Sequence, residues 1–399
     1  MIKKASVFLW LILLTFLPGG CWSRVEITEV AVVLGTGVDW TADGMVRLTV
    51  QIARPAAFAG GGEATGGGKE AAPASWVVTA EGKTIEEAER CLAMKVPRDI
   101  YWGHCVILVL GEDMAKKGTR VATNFFQRDR QPRETMWIMV AKGEAKDFLE
   151  TYSILAKTSA QAAGFLTRMK TGYTVQIREF AEMLASKGVQ PVATRVEVKE
   201  AGITPGPGRE KEPVELKQVE LNGVAVFKDD KLIGWLEDDE TRGLLWLKGE
   251  IMKGTVTVPS PGEPDKAVSV RIRRGYTRVT PEYDGEYLGF DVMVEVEGDM
   301  VEQQSGEDLA EPDKIKILEN EIAGEIGASA AAALDKARRE YGVDIFGFGD
   351  AFHRKYKKEW RELKDRWDEE FARAEVNITV AAHVRDTGLL TKRASAPEE

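Results

Sequence analysis

The chain has 399 residues, of which 44% are hydrophobic and 30% charged, which describes a globular protein long enough for two or three domains and excludes a disordered chain. Its 64 acidic against 54 basic side chains give a formal charge of -10, which argues against nucleic acid as a partner and against adhesion to an anionic bilayer by charge. Three cysteines are too few for a disulfide framework, and the three histidines are equally sparse and lack metal-ligand spacing.

The chain begins with a short basic head, Lys3 and Lys4, followed by an apolar run from Val7 to Leu17 broken only by Thr15. A run of that length falls short of the ~20 residues a helix needs to cross a hydrocarbon core, so it reads as the core of an export leader. Pro18, Gly19 and Gly20 lead into Cys21, an arrangement like a lipobox, with its leucine at Leu17 one place earlier than usual. Cys21 then becomes the first mature residue and carries a diacylglyceryl group, with or without an added N-acyl chain. An ordinary secretory leader with an incidental cysteine is the competing reading. Loss of residues 1–20 removes Lys3 and Lys4 and no acid, so the charge moves from -10 to -12 and lipid must supply the anchoring.

Val25 to Asp39 alternates and then turns apolar, predicting a strand whose hairpin partner is Met45 to Ala53. Gly35 and Gly37 suggest a nucleotide loop, but no third glycine and no helix follow at the required spacing. Gly60 to Gly68 reads as a flexible surface loop. Trp76 to Ala80 predicts a strand, Thr84 with Glu87 a capped helix, and Tyr101 to Leu110 a strongly apolar strand containing His104 and Cys105. Neighbours in a strand point to opposite faces, so these two do not form a metal pair, and His104 reads as structural. Cys91 and Cys105 read as a reduced pair, with a single disulfide as the alternative.

Met114 to Asp129 predicts a helix, Thr135 to Val140 a strand and Ala145 to Tyr152 a helix, which gives an α/β or α+β first domain with a mixed sheet. Arg128, Asp129, Arg130 and Arg133 read as a solvated turn. Helical periodicity covers Ser159 to Lys187, Val192 to Val198 alternates as a strand, and Val219 to Leu236 reads as a hairpin. Glu237, Asp238, Asp239 and Glu240 read as an acidic turn. Gly254 to Glu297 predicts an antiparallel sheet. A long helix follows, with Ile315, Leu318, Ile322, Ile326, Ala330, Leu334, Ala337 and Tyr341 on one face and Gly342 as its cap. Beyond the glycine-rich connection Asp344 to Gly349, Trp360, Leu363, Trp367 and Phe371 share a helix face, and Val376 to Val384 closes the fold as a strand. Thr391 to Glu399 reads as a frayed tail.

Four blocks together resemble the Ger(x)C family, the lipoprotein C subunits of nutrient germinant receptors in endospore-forming bacteria. The first is Cys21-Trp22 with Arg24, Glu26-Ile27 and Gly35-Thr36-Gly37-Val38-Asp39. The second runs from Glu81-Gly82-Lys83-Thr84 and Glu87-Ala88 through Gly103-His104 to Arg128-Asp129. Leu221 to Phe227, Lys231 to Leu236 and Thr241-Arg242-Gly243 make the third. Tyr341, Asp344-Ile345-Phe346-Gly347-Phe348-Gly349, His353-Arg354, Trp360 and Trp367 make the fourth. Ser23 departs from the Asp or Asn usual after the Cys-Trp pair, and the Gly60 to Gly68 insertion is long.

The resemblance implies a non-enzymatic protein without cofactors, lipid-anchored through Cys21 on the outer face of the inner spore membrane. It implies two integral-membrane partners, the A and B subunits, and three α+β domains. With the breaks in the chain, the expected division is leader 1–20, N-terminal domain 21–150, middle domain 151–252, C-terminal domain 253–392 and tail 393–399. A lipid-anchored solute-binding protein is the alternative, and an envelope hydrolase finds no nucleophile elbow or HExxH motif to support it. For partner contact the expected residues are Phe346, Gly347, Phe348, Gly349 and His353, with glycines allowing close approach and rings presenting apolar surface; the competing reading is a tight packed turn between two helices that buries both rings.

Overall fold

The computed structural model describes residues 26–55, 73–151, 153, 155–204, 214–251 and 254–387. Cys21, the leader, the Gly60 to Gly68 loop and the tail from Thr391 lie outside these described residues.

A nine-stranded mixed sheet forms the first body. Its centre is β1 (Val30–Trp40), which pairs antiparallel with β2 (Val46–Ala53) and parallel with both β4 (Asp99–Tyr101) and β5 (Ile107–Leu110). Beyond β2 lies β3 (Ser75–Gly82), at the edge. On the other side β5 pairs parallel with β6 (Trp137–Ala141), which pairs parallel with β7 (Val192–Thr204). Antiparallel β8 (Val214–Lys228) and β9 (Lys231–Leu236) complete the order. The unbroken apolar runs of β5 and β6 follow from this arrangement, because parallel strands are covered on both faces; every residue of β5 is buried.

One face carries α4 (Ala145–Glu150) and α5 (Ser159–Met169), whose Phe148, Leu149, Ala160 and Ala163 pack onto Ile107, Val109, Met139 and Val196. The other face takes α1 (Ile85–Ala93), α2 (Glu112–Lys117), α3 (Arg120–Arg128) and α6 (Ile177–Ala185). Gly35 and Gly37 seat the first pair of helices on β1: a Cβ would come within 2.7 Å of the Ala160 Cβ at Gly35 and within 2.9 Å of the Ala145 Cβ at Gly37. Asp39, at the end of the same strand, accepts from the N–H groups of Ala145 at 2.8 Å and Lys146 at 3.1 Å, capping α4. The glycine pair is therefore a helix seat.

The second body is a four-stranded sheet of β10 (Gly254–Pro259), β11 (Ala267–Tyr283), β12 (Leu288–Gln303) and β13 (Glu375–Asp386). The first three are antiparallel, and β13 returns parallel to β12. The long crossover holds α8 (Pro312–Asp335), which starts with proline at its first turn and buries Leu318, Ile322, Ile326, Ala330 and Leu334, the face expected from their spacing. It runs into a π-helical turn, Lys336–Tyr341, ended by Gly342 in the left-handed conformation. Against α8 lies α7 (Asp238–Lys248), and at their crossing a Cβ on Gly243 would sit 2.0 Å from the Ser329 carbonyl oxygen. Then come α9 (Phe348–Lys355), α10 (Trp360–Leu363) and α11 (Trp367–Arg373), with Trp360, Leu363, Trp367 and Phe371 buried.

Several expectations are corrected. The large sheet runs without a break across residue 150, because β6 and β7 pair directly. The apolar stretch Tyr101 to Leu110 divides into β4 and β5 at a turn through Gly103 and His104, so His104 is exposed on a turn while Cys105 is buried. The helix expected over Met114 to Asp129 divides at Gly118, whose φ of 137° no helix accommodates. Glu237 to Glu240 opens α7 as a capping box: the Glu237 N–H donates to the Glu240 carboxylate at 2.6 Å.

Candidate functional site

The connection expected to contact a partner is a junction inside the protein. Asp344 is fully buried, and its carboxylate accepts from the backbone N–H groups of Phe346 (2.9 Å), Gly347 (2.9 Å) and Gly349 (2.7 Å) and from the Trp367 indole N–H (3.1 Å). Burial raises its pKa to about 6 against the pull of these donors. The carboxylate thereby folds the loop and starts α9.

The rings this turn was expected to display are interior. Phe348 is fully buried, with ring centroids 5.0 Å from Phe290, 5.5 Å from Phe346 and 5.8 Å from Phe371, and Phe346 is 7% exposed. Burying each such ring stabilises the fold by about 1.5–3 kcal/mol, so the aromatic pattern is spent on the core. Gly347 is half-buried and Gly349 buried, and of the five only His353 is exposed, stacked 5.3 Å from Trp360. The close backbone approach expected of the glycines does occur, but within the chain: a Cβ on Gly349 would lie 2.5 Å from the Gly188 Cα. The Gln190 N–H donates to the Asp344 carbonyl at 2.6 Å, and the Ser186 hydroxyl donates to Asp350 at 3.0 Å. Loop and α6–β7 connection together bolt the second body to the first.

Two further contacts strengthen this bolt. The Tyr341 hydroxyl donates to the Trp235 carbonyl at 2.8 Å and accepts from the Trp235 N–H at 3.0 Å, joining the π-helical turn to β9. Arg195 on β7, 1% exposed, donates to both oxygens of Glu237 at 2.7 Å and to the Asn222 carbonyl, tying β7 to the start of α7. Nothing in the alternating strand around Arg195 marked it as interior; Asp344, followed by glycines, carried the composition of a side chain–backbone turn. Beside the junction a cleft of about 870 Å³ is lined by Glu179, Lys248, Glu250, Asp350 and Arg354 among others.

The chain enters the fold through a short 3-10 turn, Ile27–Glu29, into β1. A groove of about 1430 Å³ lies between this turn, α1 and β4, and Thr28, Val96, Pro97 and Arg98 separate it from a smaller apolar groove of about 510 Å³. On the floor of this end Glu89 accepts from the buried Trp102 indole at 2.8 Å, and burial raises its pKa. Cys21 itself lies outside the described residues, five positions before Glu26.

Among the described residues no group of three or more His, Cys, Asp or Glu side chains is placed to hold a metal ion, and no helix is long and apolar enough to cross a membrane. Cys91 and Cys105 are free thiols, and burial pushes Cys105 up to about 12. His383 lies 3.8 Å from Glu319, far in sequence from His104 and His353.

Comparison with known proteins agrees with this architecture. Residues 23–198 match the family model described as spore germination protein N-terminal domain, and residues 222–388 match the one described as spore germination B3/GerAC like, C-terminal. Spore germination protein KC of Bacillus subtilis (strain 168) is 28% identical over 98% of this chain and 97% of its own length. Spore germination protein B3 of the same organism is 24% identical over 98% of this chain and all of its own. The crystal structure of the GerBC protein superposes with a TM-score of 0.56 at 20% identity, covering 88% of this chain and 97% of the other, and so shares the fold. With both modules matched in order across nearly the whole length, the chain belongs to the Ger(x)C family of spore germination proteins.

Proposed function

We propose that this protein is the C subunit of a nutrient germinant receptor, lipid-anchored through Cys21 on the outer face of the inner spore membrane and working beside two integral-membrane subunits, A and B. The observation that carries the reading is the end-to-end match to spore germination proteins, beginning two residues after Cys21. The basic head, apolar run and small residues before Cys21 support the tether, as does the lack of a membrane-crossing helix among the described residues. The role is non-catalytic, a matter of assembly at the membrane. A solute-binding protein would need two doubly wound lobes, and the antiparallel β10–β12 arrangement speaks against it.

Cys21→Ala tests the proposal. The variant should leave the detergent-phase membrane fraction, and spores carrying it should respond poorly to nutrients. Unchanged membrane partitioning with an intact nutrient response would overturn it.

A further inference from the structure

The end of the fold where the chain arrives from Cys21 has a surface of its own. The apolar groove there is walled by Ala31, Ile52, Pro55, Trp76 and Pro97, with Thr28 at its margin. Trp76 stands on the edge strand β3, opposite Ile52, and is 40% exposed. Met94, at the end of α1, is 79% exposed, and Tyr101 on β4 is 37% exposed. Single exposed apolar side chains need no explanation, but Trp76 is continuous with an apolar groove, and a contiguous apolar surface marks something that it meets.

Chain length supplies one. Thr28 is seven positions after Cys21, and seven steps of at most ~3.6 Å allow a reach of about 25 Å. A lipid on Cys21 therefore cannot place this end far from the bilayer. The charged residues lining the apolar groove are Arg54 and Arg98, both cations, whereas the acids Glu86, Glu89 and Asp99 line the larger groove beside it. An indole and apolar side chains flanked by two guanidinium groups suit the boundary between phosphate headgroups and acyl chains, where amphipathic rings settle and arginines meet phosphate.

We infer that the rim formed by Ile52, Pro55, Trp76 and Pro97 rests in the headgroup layer of the phospholipid bilayer, so that the membrane is the occupant of the apolar groove and the protein is held in one orientation. The inference rests on the lipid anchor proposed above and adds to it a second, non-covalent contact.

The test uses the full lipid-bearing chain in mixed phosphatidylcholine and phosphatidylglycerol vesicles whose acyl chains are brominated near the headgroup. Because the chain has ten tryptophans, the measurement is the difference between the wild type and Trp76→Phe, a change at an exposed position. The wild type should lose tryptophan emission that the variant does not lose, while both float with the vesicles. Equal emission loss in two floating proteins overturns the orientation and leaves the tether standing, with the groove then free for a protein partner. Failure of the wild-type chain to float overturns the tether and the orientation with it.

Discussion

Replacing Asp344 with asparagine puts the junction to a quantitative test. In the wild type each carboxylate oxygen accepts twice: Oδ1 from Phe346 and Gly347, Oδ2 from Gly349 and Trp367. An amide offers one oxygen, so in either orientation two buried N–H donors face an NH2 group. At about 1–3 kcal/mol for each orphaned donor the loss relative to the ionised carboxylate, the form present near pH 7, is about 2–6 kcal/mol, a large share of the stability of an ordinary domain. The cost should also depend on pH. Burial raises the folded pKa of Asp344 to about 6, above the unfolded value near 4, so its contribution is fully present below pH ~4 and is lost as pH rises through ~6. A shift of about two units corresponds to about 3 kcal/mol. Asparagine does not titrate, and Asp39, also raised to about 6 by burial, is common to both proteins and cancels. Urea unfolding at a series of pH values should therefore show a variant that is less stable throughout, with the gap widest near pH 4 and narrower near pH 7. A gap below about 1 kcal/mol, or one that does not change with pH, would refute the reasoning.

Phe348→Ala should destabilise by about 3–5 kcal/mol, as expected for a fully buried ring, whereas His353→Ala on the exposed side of α9 should stay within about 0.5 kcal/mol; urea midpoints read both. Gly243→Ala places a methyl group 2.0 Å from the Ser329 carbonyl oxygen and 2.7 Å from the Ala333 Cβ, so α7 and α8 must separate. Overpacking of this kind costs about 1–3 kcal/mol and should lower the melting temperature, and an unchanged melt would show that the crossing yields easily.

Local patterns were legible and non-local pairings were not. The Thr84 cap of α1, the apolar face of α8 and its Gly342 terminus, the β8–β9 hairpin and the alternation of β13 all depend on neighbours a few residues apart, and all appear where their spacing placed them. The division at residue 150 looked natural because helices follow it, yet β6 finds its partner about fifty residues later in β7, a choice no local pattern encodes. Phe346 and Phe348 stayed open between partner contact and core for a similar reason. A Phe-Gly-Phe-Gly connection has the same composition whether its rings face water or meet Phe290 and Phe371 from distant elements. Arg195 was illegible because a buried arginine depends on the acid and carbonyl brought to it by β8 and α7.

The residues that carried the family resemblance explain why it identifies a family and stops there. Gly35 and Gly37 seat helices, Asp39 caps α4, Gly243 permits a helix crossing, and Asp344, Phe348 and Trp367 close the junction. All of these act inside the protein, where the chain's own atoms fix which side chains fit. A protein meets its partners with its exterior, and near the N-terminal entry of this fold that exterior includes Trp76, Met94 and Tyr101, whose side chains the fold leaves partly or largely facing solvent. Substitutions there leave the core untouched and alter only what the protein touches, so on the proposed role an effect on germination without an effect on stability should map to exposed positions such as Trp76 and to the proposed tether at Cys21, and not to the buried residues Gly35, Gly37, Gly243, Asp344 and Phe348.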